Sequence, residues 1–129
     1  MNYVTDTHAL IWWFIDSPKI SSKAAEIFKK CERGKNVIFI PSIVMAEALT
    51  IFEKKKVSFN FKNLLQKIDA SQNFMLIALD YPLLQEMMTL KDIPEIHDKI
   101  IASTAKHLKA PIITKDKTLQ KSSFIKTIW

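Results

Sequence analysis

Short apolar runs alternate with longer segments of helical period along the chain, and this alternation constrains the fold more than any other feature of the sequence. The apolar runs predict strands at residues 3–5, 37–40, 75–79, 112–114 and 124–128. The segments between them predict helices at about residues 8–14, 21–33, 42–55, 61–71, 81–90 and 95–108. Buried strands that alternate with helices are typical of a mostly parallel sheet covered on both faces, so we expect an α/β protein with three α/β/α layers.

The chain of 129 residues has the size of one domain, and no linker, repeat or low-complexity segment divides it. We therefore expect residues 1–129 to form a single domain. No apolar run is long enough to span a bilayer, and the N-terminus lacks the pattern of a secretory signal. The one cysteine, Cys31, suits a reducing compartment and predicts an ordinary buried thiol, so we expect a cytoplasmic protein.

Glycine content and net charge narrow the range of ligands. The only glycine is Gly34, which excludes a P-loop, a dinucleotide-binding fingerprint and a kinase glycine loop, because each needs several glycines for close approach to phosphate. The formal net charge of +6 favours a polyanionic partner such as nucleic acid. The run EKKK at residues 53–56 fits either a phosphate-binding track or the solvated end of a helix.

Two aspartates follow predicted strands. Asp6 ends the first strand, and Asp116 comes after the fourth, in the stretch PIITKD. The carboxyl ends of parallel strands lie along one edge of a sheet, where functional groups gather. An aspartate at such a junction is also a good N-cap for the helix that follows, so both interpretations stay open for each residue.

Two further acids, Glu47 and Asp98, occupy helix positions that should face the core. Residues three, four and seven positions away share a helix face, and here most are apolar: Ile43, Val44, Thr50 and Ile51 around Glu47, and Pro94, Ile101, Ala102 and Ala105 around Asp98. A buried carboxylate is costly unless it is paired with a basic group or bound to a metal. The pattern therefore indicates either a hidden Lys or Arg partner or a metal site.

We hypothesise that Asp6, Glu47, Asp98 and Asp116 meet in one pocket at the carboxyl edge of the sheet. Four carboxylates at close range repel one another and raise some of their own pKa values. A divalent cation relieves this repulsion. Oxygen ligands without an accompanying Cys or His pattern suit Mg²⁺ or Mn²⁺ rather than Zn²⁺.

Four stretches, DTHALIWW, SIVMAEAL, HDKIIASTA and ITKD, resemble the motifs of PIN-domain ribonucleases, and more closely those of VapC-type toxins of toxin–antitoxin systems, in order and spacing. The resemblance covers essentially the whole chain and implies one PIN-like domain over residues 1–129. It places the four acids in the family's metal site and Thr114 beside them. It also implies a homodimer and a cognate antitoxin that blocks the acidic pocket.

The function that follows from the resemblance is a Mg²⁺- or Mn²⁺-dependent endoribonuclease that acts as a toxin. Bound metal neutralises charge on the phosphodiester and lowers the pKa of a water for in-line attack. We expect Asp6, Asp98 and Asp116 to be mainly metal ligands and Glu47 to orient or deprotonate the water. The alternative is a PIN-like module that binds nucleic acid or protein without cleaving it.

Several lysines are candidates for holding the RNA backbone. Lys115 and Lys117 flank Asp116 and are preferred, and residues 54–56 supply three more. Thr114 either contacts a ligand water or a phosphate oxygen, or is a structural residue of its strand.

Other residues near the motifs have open roles. Many relatives carry an additional acid shortly before the third motif carboxylate, where this chain has PEIH, so we leave Glu95 outside the core set. His8 and His97 adjoin site acids, but adjacent helix residues point in different directions. Trp12 and Trp13 are predicted to be core or half-core, and since they cannot share one narrow face, one of them is a candidate for an interface.

Overall fold

One parallel sheet of five short strands forms the centre of the protein in a computed structural model that describes residues 1–55 and 60–129. The strands are β1 (Asn2–Thr5), β2 (Val37–Pro41), β3 (Phe74–Ile77), β4 (Ile112–Ile113) and β5 (Thr127–Ile128). Their order is β3-β2-β1-β4-β5, and every neighbouring pair is parallel. The predicted α/β class with a parallel central sheet is confirmed.

Helices flank this sheet. In the described ranges they are α1 (Thr7–Phe14), α2 (Ser22–Glu32), α3 (Ser42–Lys55), α4 (Phe61–Ala70), α5 (Tyr81–Met87), α6 (Ile96–Leu108) and α7 (Lys117–Lys121). The first six were predicted, with α5 ending three residues earlier than expected. The short helix α7 was not predicted. None of the helices in these ranges is long and apolar enough to cross a membrane.

The strand order creates a switch point between β1 and β4. From β1 the chain continues to β2 on one side, and from β4 it continues to β5 on the other. Right-handed connections in opposite directions place helices on both faces and open a crevice at the carboxyl ends of the two central strands. Asp6 directly follows β1, and Asp116 follows β4 after two residues. The topology therefore brings the two aspartates to the same crevice.

The three central strands are apolar because helices cover both faces of the sheet there. Val4, Ile38, Ile40, Ile112 and Ile113 on the three central strands have no exposed surface. Parallel strands buried in this way carry continuous rather than alternating apolar residues. Their packing fixes the positions from which the residues beyond their carboxyl ends project.

Two further predictions about side-chain burial are confirmed. Cys31 is buried, and burial raises the pKa of its thiol to about 11, so it behaves as a small apolar side chain. Trp12 and Trp13 are both half-buried and pack against the main core.

Candidate active site

A cleft of about 370 Å³ opens at the carboxyl edge of the sheet, and all four predicted acids line it. Asp6 comes from the end of β1, Glu47 from α3, Asp98 from the first turn of α6 and Asp116 from the start of α7. Four separate parts of the sequence therefore contribute carboxylates to one concave surface. Their chemical roles stay predictions.

Asp6 is the most buried of these acids, with 8% of its surface exposed. One carboxylate oxygen, Oδ1, accepts a hydrogen bond from the backbone N–H of Ala9 at 2.9 Å, and the other accepts one from the Thr114 hydroxyl. Burial raises the pKa of Asp6, and the two hydrogen bonds partly oppose this rise. Asp6 is thus both the N-cap of α1 and a cleft acid.

Thr114 connects the loops that follow β1 and β4. Its fully buried hydroxyl donates to Asp6 and accepts from the backbone N–H of Asp116 at 3.0 Å. Asp116 in turn accepts from the backbone N–H of Leu119 at 3.0 Å and caps α7. Since both hydrogen-bonding functions of Thr114 are used internally, the structure places this residue behind the cleft rather than on its surface.

Glu47 is half-buried on the side of α3 that faces α1. Its Oε1 accepts a hydrogen bond from the Thr7 hydroxyl at 2.7 Å, and Thr7 itself lines the cleft. Sequence reasoning missed Thr7. Its only signal is a hydroxyl residue directly after the strand-end aspartate, because a contact across 40 positions is not visible in local pattern.

Asp98 carries the clearest electrostatic sign of crowding. Burial, followed by the negative charges of Asp116, Glu95, Asp6 and Glu47, raises its pKa from 3.8 to about 6. All three other cleft acids thus act on this one carboxyl. The repulsion expected from the sequence is present in the folded chain.

Among the described residues, no salt bridge to a basic side chain neutralises either of the helix acids. Within the described ranges, the two ion pairs join Glu95 to His97 and Glu86 to Lys106, and neither Glu47 nor Asp98 takes part in them. The alternative of a hidden Lys or Arg partner therefore has no support in this part of the chain.

The donor set of the cleft matches a hard divalent cation in chemistry. Among the described residues, no three His, Cys, Asp or Glu side chains are arranged, as they stand, to hold one ion directly. Mg²⁺ keeps several waters in protein sites, so carboxylates that reach it through water need not converge to ligand distance. The oxygen-only acids and the raised pKa of Asp98 fit such a cation, whose charge would relieve their repulsion.

Glu95 has a structural role at the edge of the site. It caps α6 by accepting a hydrogen bond from the backbone N–H of Asp98 at 2.8 Å, and its other carboxylate oxygen contacts His97. Desolvation acts to raise the pKa of Glu95, but hydrogen bonds from Asp98 and His97 outweigh it and the pKa is lowered. Bonding to Glu95 raises the pKa of His97. Glu95 does not line the cleft.

The remaining candidates divide between cleft and surface. Lys115 and His8 line the cleft, whereas Lys117 is exposed outside it. Lys54 and Lys55 are exposed at the end of α3, as expected of a solvated helix end, and Lys56 lies outside the described residues. The third histidine of the sequence, His107, is exposed and does not line the cleft.

A larger cleft of about 540 Å³ lies near the amino ends of β2 and β3, beside Cys31, Lys67 and Asn73. Its lining contains a single carboxylate, that of Glu32. The size of a cavity therefore does not identify the site in this protein; the converging acids do.

Comparisons with known proteins agree with this architecture. FitAcB from Neisseria gonorrhoeae has a TM-score of 0.72 at 15% identity, covering 98% of this chain and 96% of that one. VapBC2 from Rickettsia felis, bound to a DNA fragment from its promoter, has a TM-score of 0.70 at 19% identity, covering 99% and 98%. A toxin–antitoxin complex from Klebsiella pneumoniae has a TM-score of 0.68 at 16% identity, covering 98% and 96%.

At these identities the structural likeness shows the fold alone. Comparison of the sequence with curated proteins finds no match. The family model for the PIN domain, however, matches residues 3–125, nearly the whole chain. The resemblance drawn from the four motifs is confirmed, and the chain belongs to the PIN-domain family, a family of nucleases.

Proposed function

We propose that this protein is a Mg²⁺- or Mn²⁺-dependent endoribonuclease, built as one PIN-like domain over residues 1–129, and the toxin of a toxin–antitoxin pair. The observation that carries the proposal is the meeting of four carboxylates in one cleft, none of which forms a salt bridge with a basic side chain among the described residues. Membership of a nuclease family supports the same reaction class.

In this proposal Asp6, Asp98 and Asp116 hold the cation, directly or through water. A bound divalent cation supplies charge neutralisation at the phosphodiester and a lowered pKa for a water molecule. Asp6 and Asp116 keep their orientation because each also caps a helix, and their two loops are joined through Thr114. Thr114 is therefore a positioning residue that acts through Asp6.

Glu47 is the residue that orients or deprotonates the attacking water. Its Oε1 is occupied by the Thr7 hydroxyl, and Oε2 has no hydrogen-bond partner among the described residues. One oxygen thus fixes the side chain and the other is available to accept a proton. A general base must lie within hydrogen-bond reach of the proton that it removes, which its place in the cleft allows.

RNA enters a site whose centre is acidic and whose surroundings are basic. The formal net charge of +6 favours association with phosphates over a wide surface. Lys115 lines the cleft beside Asp116 and is the first candidate for a phosphate contact, with Lys117 just outside. These lysines position the backbone while the acids and their cation act on the scissile bond.

The solved structures similar to this chain include complexes of toxins with their antitoxins. We therefore propose a cognate antitoxin that covers the acidic cleft, with a basic side chain placed among the carboxylates. A homodimer is proposed on the family resemblance. Expression of the wild type should arrest growth of the host. Co-expression of the antitoxin, or the substitution Asp98→Asn, should relieve this arrest. Equal toxicity of the wild type and Asp98→Asn would show that growth arrest does not depend on the proposed chemistry.

RNA cleavage with and without divalent cations tests the proposal. The wild type should cut RNA with Mg²⁺ or Mn²⁺ and not with EDTA, and Asp98→Asn should not cut under either condition. Glu53→Gln provides the matched comparison, because Glu53 is an exposed acid on the same helix as Glu47 and should not be needed. RNA binding without metal-dependent cleavage by the wild type would favour a non-catalytic PIN-like binding module instead.

A further inference from the structure

The two adjacent tryptophans of α1 face different surroundings. Trp13 stacks on Phe28 with ring centres 5.6 Å apart, and its indole N–H donates to Glu32 at 3.0 Å. Trp12 instead lines the acidic cleft. Its indole N–H has no hydrogen-bond partner among the described residues. Trp13 is therefore explained by packing between α1 and α2, whereas Trp12 packs against the core with part of its surface and also lines the cleft.

Aromatic and basic side chains from separate parts of the sequence gather around Trp12. The rings of His8 and Trp129 lie 5.5 and 5.8 Å from it, the second edge-on. The ammonium groups of Lys19 and Lys115 are each 6.0 Å from the ring centre. We call these five residues the Trp12 cluster. It places a half-buried indole and two cations at the border of the carboxylate cleft.

This combination has the chemistry of a single-stranded nucleic acid site. Bases stack on aromatic side chains, and basic residues beside them hold the phosphates. At 6.0 Å the two lysines are at the outer limit of a cation–π contact, so a base can replace them over the ring while they turn to phosphate oxygens. A base that is paired in a duplex does not offer its face in this way.

We propose that Trp12 is the stacking platform for an unpaired base next to the scissile phosphate, with Lys19 and Lys115 on the flanking phosphates. Trp12 lines the same cleft as Asp6 and Asp98, so a base stacked there has its phosphate beside the acids. This inference rests on the proposed ribonuclease function.

Binding measured in EDTA separates this proposal from cleavage. A fluorescently labelled single-stranded oligoribonucleotide should bind Trp12→Ala roughly 5- to 100-fold more weakly than the wild type, the range expected for one lost base–aromatic stack. Trp13→Phe should bind as the wild type does. The loss should shrink for a strand with abasic positions and for a duplex of the same sequence, since neither presents a free base.

A second measurement covers the case in which Trp12→Ala does not fold. The chain has three tryptophans, and the double variant Trp13→Phe/Trp129→Phe retains only Trp12. Single-stranded RNA should quench the fluorescence of this remaining tryptophan. Unchanged affinity of folded Trp12→Ala, or equal losses on intact and abasic strands, would overturn the proposal. The proposal would also be overturned if Trp12→Ala weakened binding of the antitoxin but not binding of RNA. Trp12-dependent binding without metal-dependent cleavage would instead overturn the proposed function alone.

Discussion

Thr114 is a single residue on which both the fold and the proposed chemistry depend. Its buried hydroxyl is the link between the Asp6 carboxylate and the backbone of Asp116. Removing the hydroxyl leaves a buried carboxylate oxygen without its donor and a backbone N–H without its acceptor. Both losses occur behind the cleft, so their effect on cleavage passes through the position of Asp6.

We predict that Thr114→Val lowers the free energy of unfolding by about 1–3 kcal/mol, as expected for a lost buried hydrogen bond to a charged group. Metal-dependent cleavage should fall roughly 10- to 100-fold, the usual effect of losing a group that orients a metal ligand. Urea unfolding and RNA cleavage measure the two effects, and Thr114→Ser should restore both.

Thr104→Val is the matched comparison for this substitution. Thr104 is equally buried, but its hydroxyl bonds to the Ile100 carbonyl of its own helix. The Thr104→Val substitution should leave cleavage unchanged. Cleavage by Thr114→Val at the wild-type rate would show that the threonine does not position Asp6.

The raised pKa of Asp98 makes the stability of the metal-free protein depend on pH. The pKa of Asp98 is about 6 in the folded chain, compared with 3.8 for the carboxyl group in an unfolded chain. The folded state therefore binds more protons than the unfolded state between these two pH values. The contribution of this group to the free energy of unfolding therefore falls as the pH rises through this window and stays low above it.

Asp98→Asn removes this dependence because asparagine does not titrate. In EDTA, the difference in melting temperature between the variant and the wild type should shift in favour of the variant as the pH rises from about 4 to about 7. Thermal melts at several pH values measure it. A difference that is constant or moves the other way would show that Asp98 is not crowded by the other acids.

At the scale of elements, strand and helix lengths were set by partners that local sequence does not show. The predicted strand at 124–128 is reduced to two residues in β5, because it pairs only with the two residues of β4. Helix α7 was missed because Leu119 is its one buried residue, too little for a periodic signal. The apolar runs of β1 and β2, buried on both faces, were predictable to within one or two residues.

For the site, too, features with a local sequence signal could be predicted, and features that depend on packing between distant segments could not. Asp6 and Asp116 could be predicted from strand ends, and Glu47 and Asp98 from their apolar helix faces, because each signal is local. The Thr7 to Glu47 bond and the approach of Lys19 and Trp129 to Trp12 depend on packing between distant segments. No spacing rule reaches across those distances.

The caps of α1 and α7 show that one aspartate can serve an element and a site together. Asparagine is as good an N-cap as aspartate, but it lacks the charge. We predict that Asp116→Asn is at least as stable as the wild type, because it keeps the cap and removes a charge that repels Asp98, while the free energy of unfolding of Asp116→Ala is lower than that of Asp116→Asn by about 0.5–2 kcal/mol through loss of the cap. Both variants should lose cleavage. Activity in Asp116→Asn would reduce the residue to its capping role.

At the scale of the whole molecule, the protein has a net positive charge, but its cleft is lined by four acids. We predict that affinity for single-stranded RNA falls with salt, with a log–log slope of about −0.7 for each phosphate neutralised. Lys115→Gln should make the slope shallower. Lys30→Gln should not, because Lys30 is exposed on α2 and does not line the cleft. Titrations at several salt concentrations measure the slopes, and an affinity independent of salt would contradict a phosphate-binding surface.

The PIN fold alone does not establish the reaction, since one fold can carry many functions. The proposed reaction depends on the carboxylate cleft and on its capacity to bind a divalent cation. That capacity can be measured without RNA and without knowledge of the cellular target.

Titration of the protein with Mn²⁺, followed by the electron paramagnetic resonance signal of the free ion, tests this claim most directly. The wild type and Glu53→Gln should bind Mn²⁺ equally, and Glu47→Gln, Asp98→Asn and Asp116→Asn should each bind it more weakly, with Mg²⁺ competing. Folded variants that all bind Mn²⁺ as tightly as the wild type would contradict a metal site in this cleft.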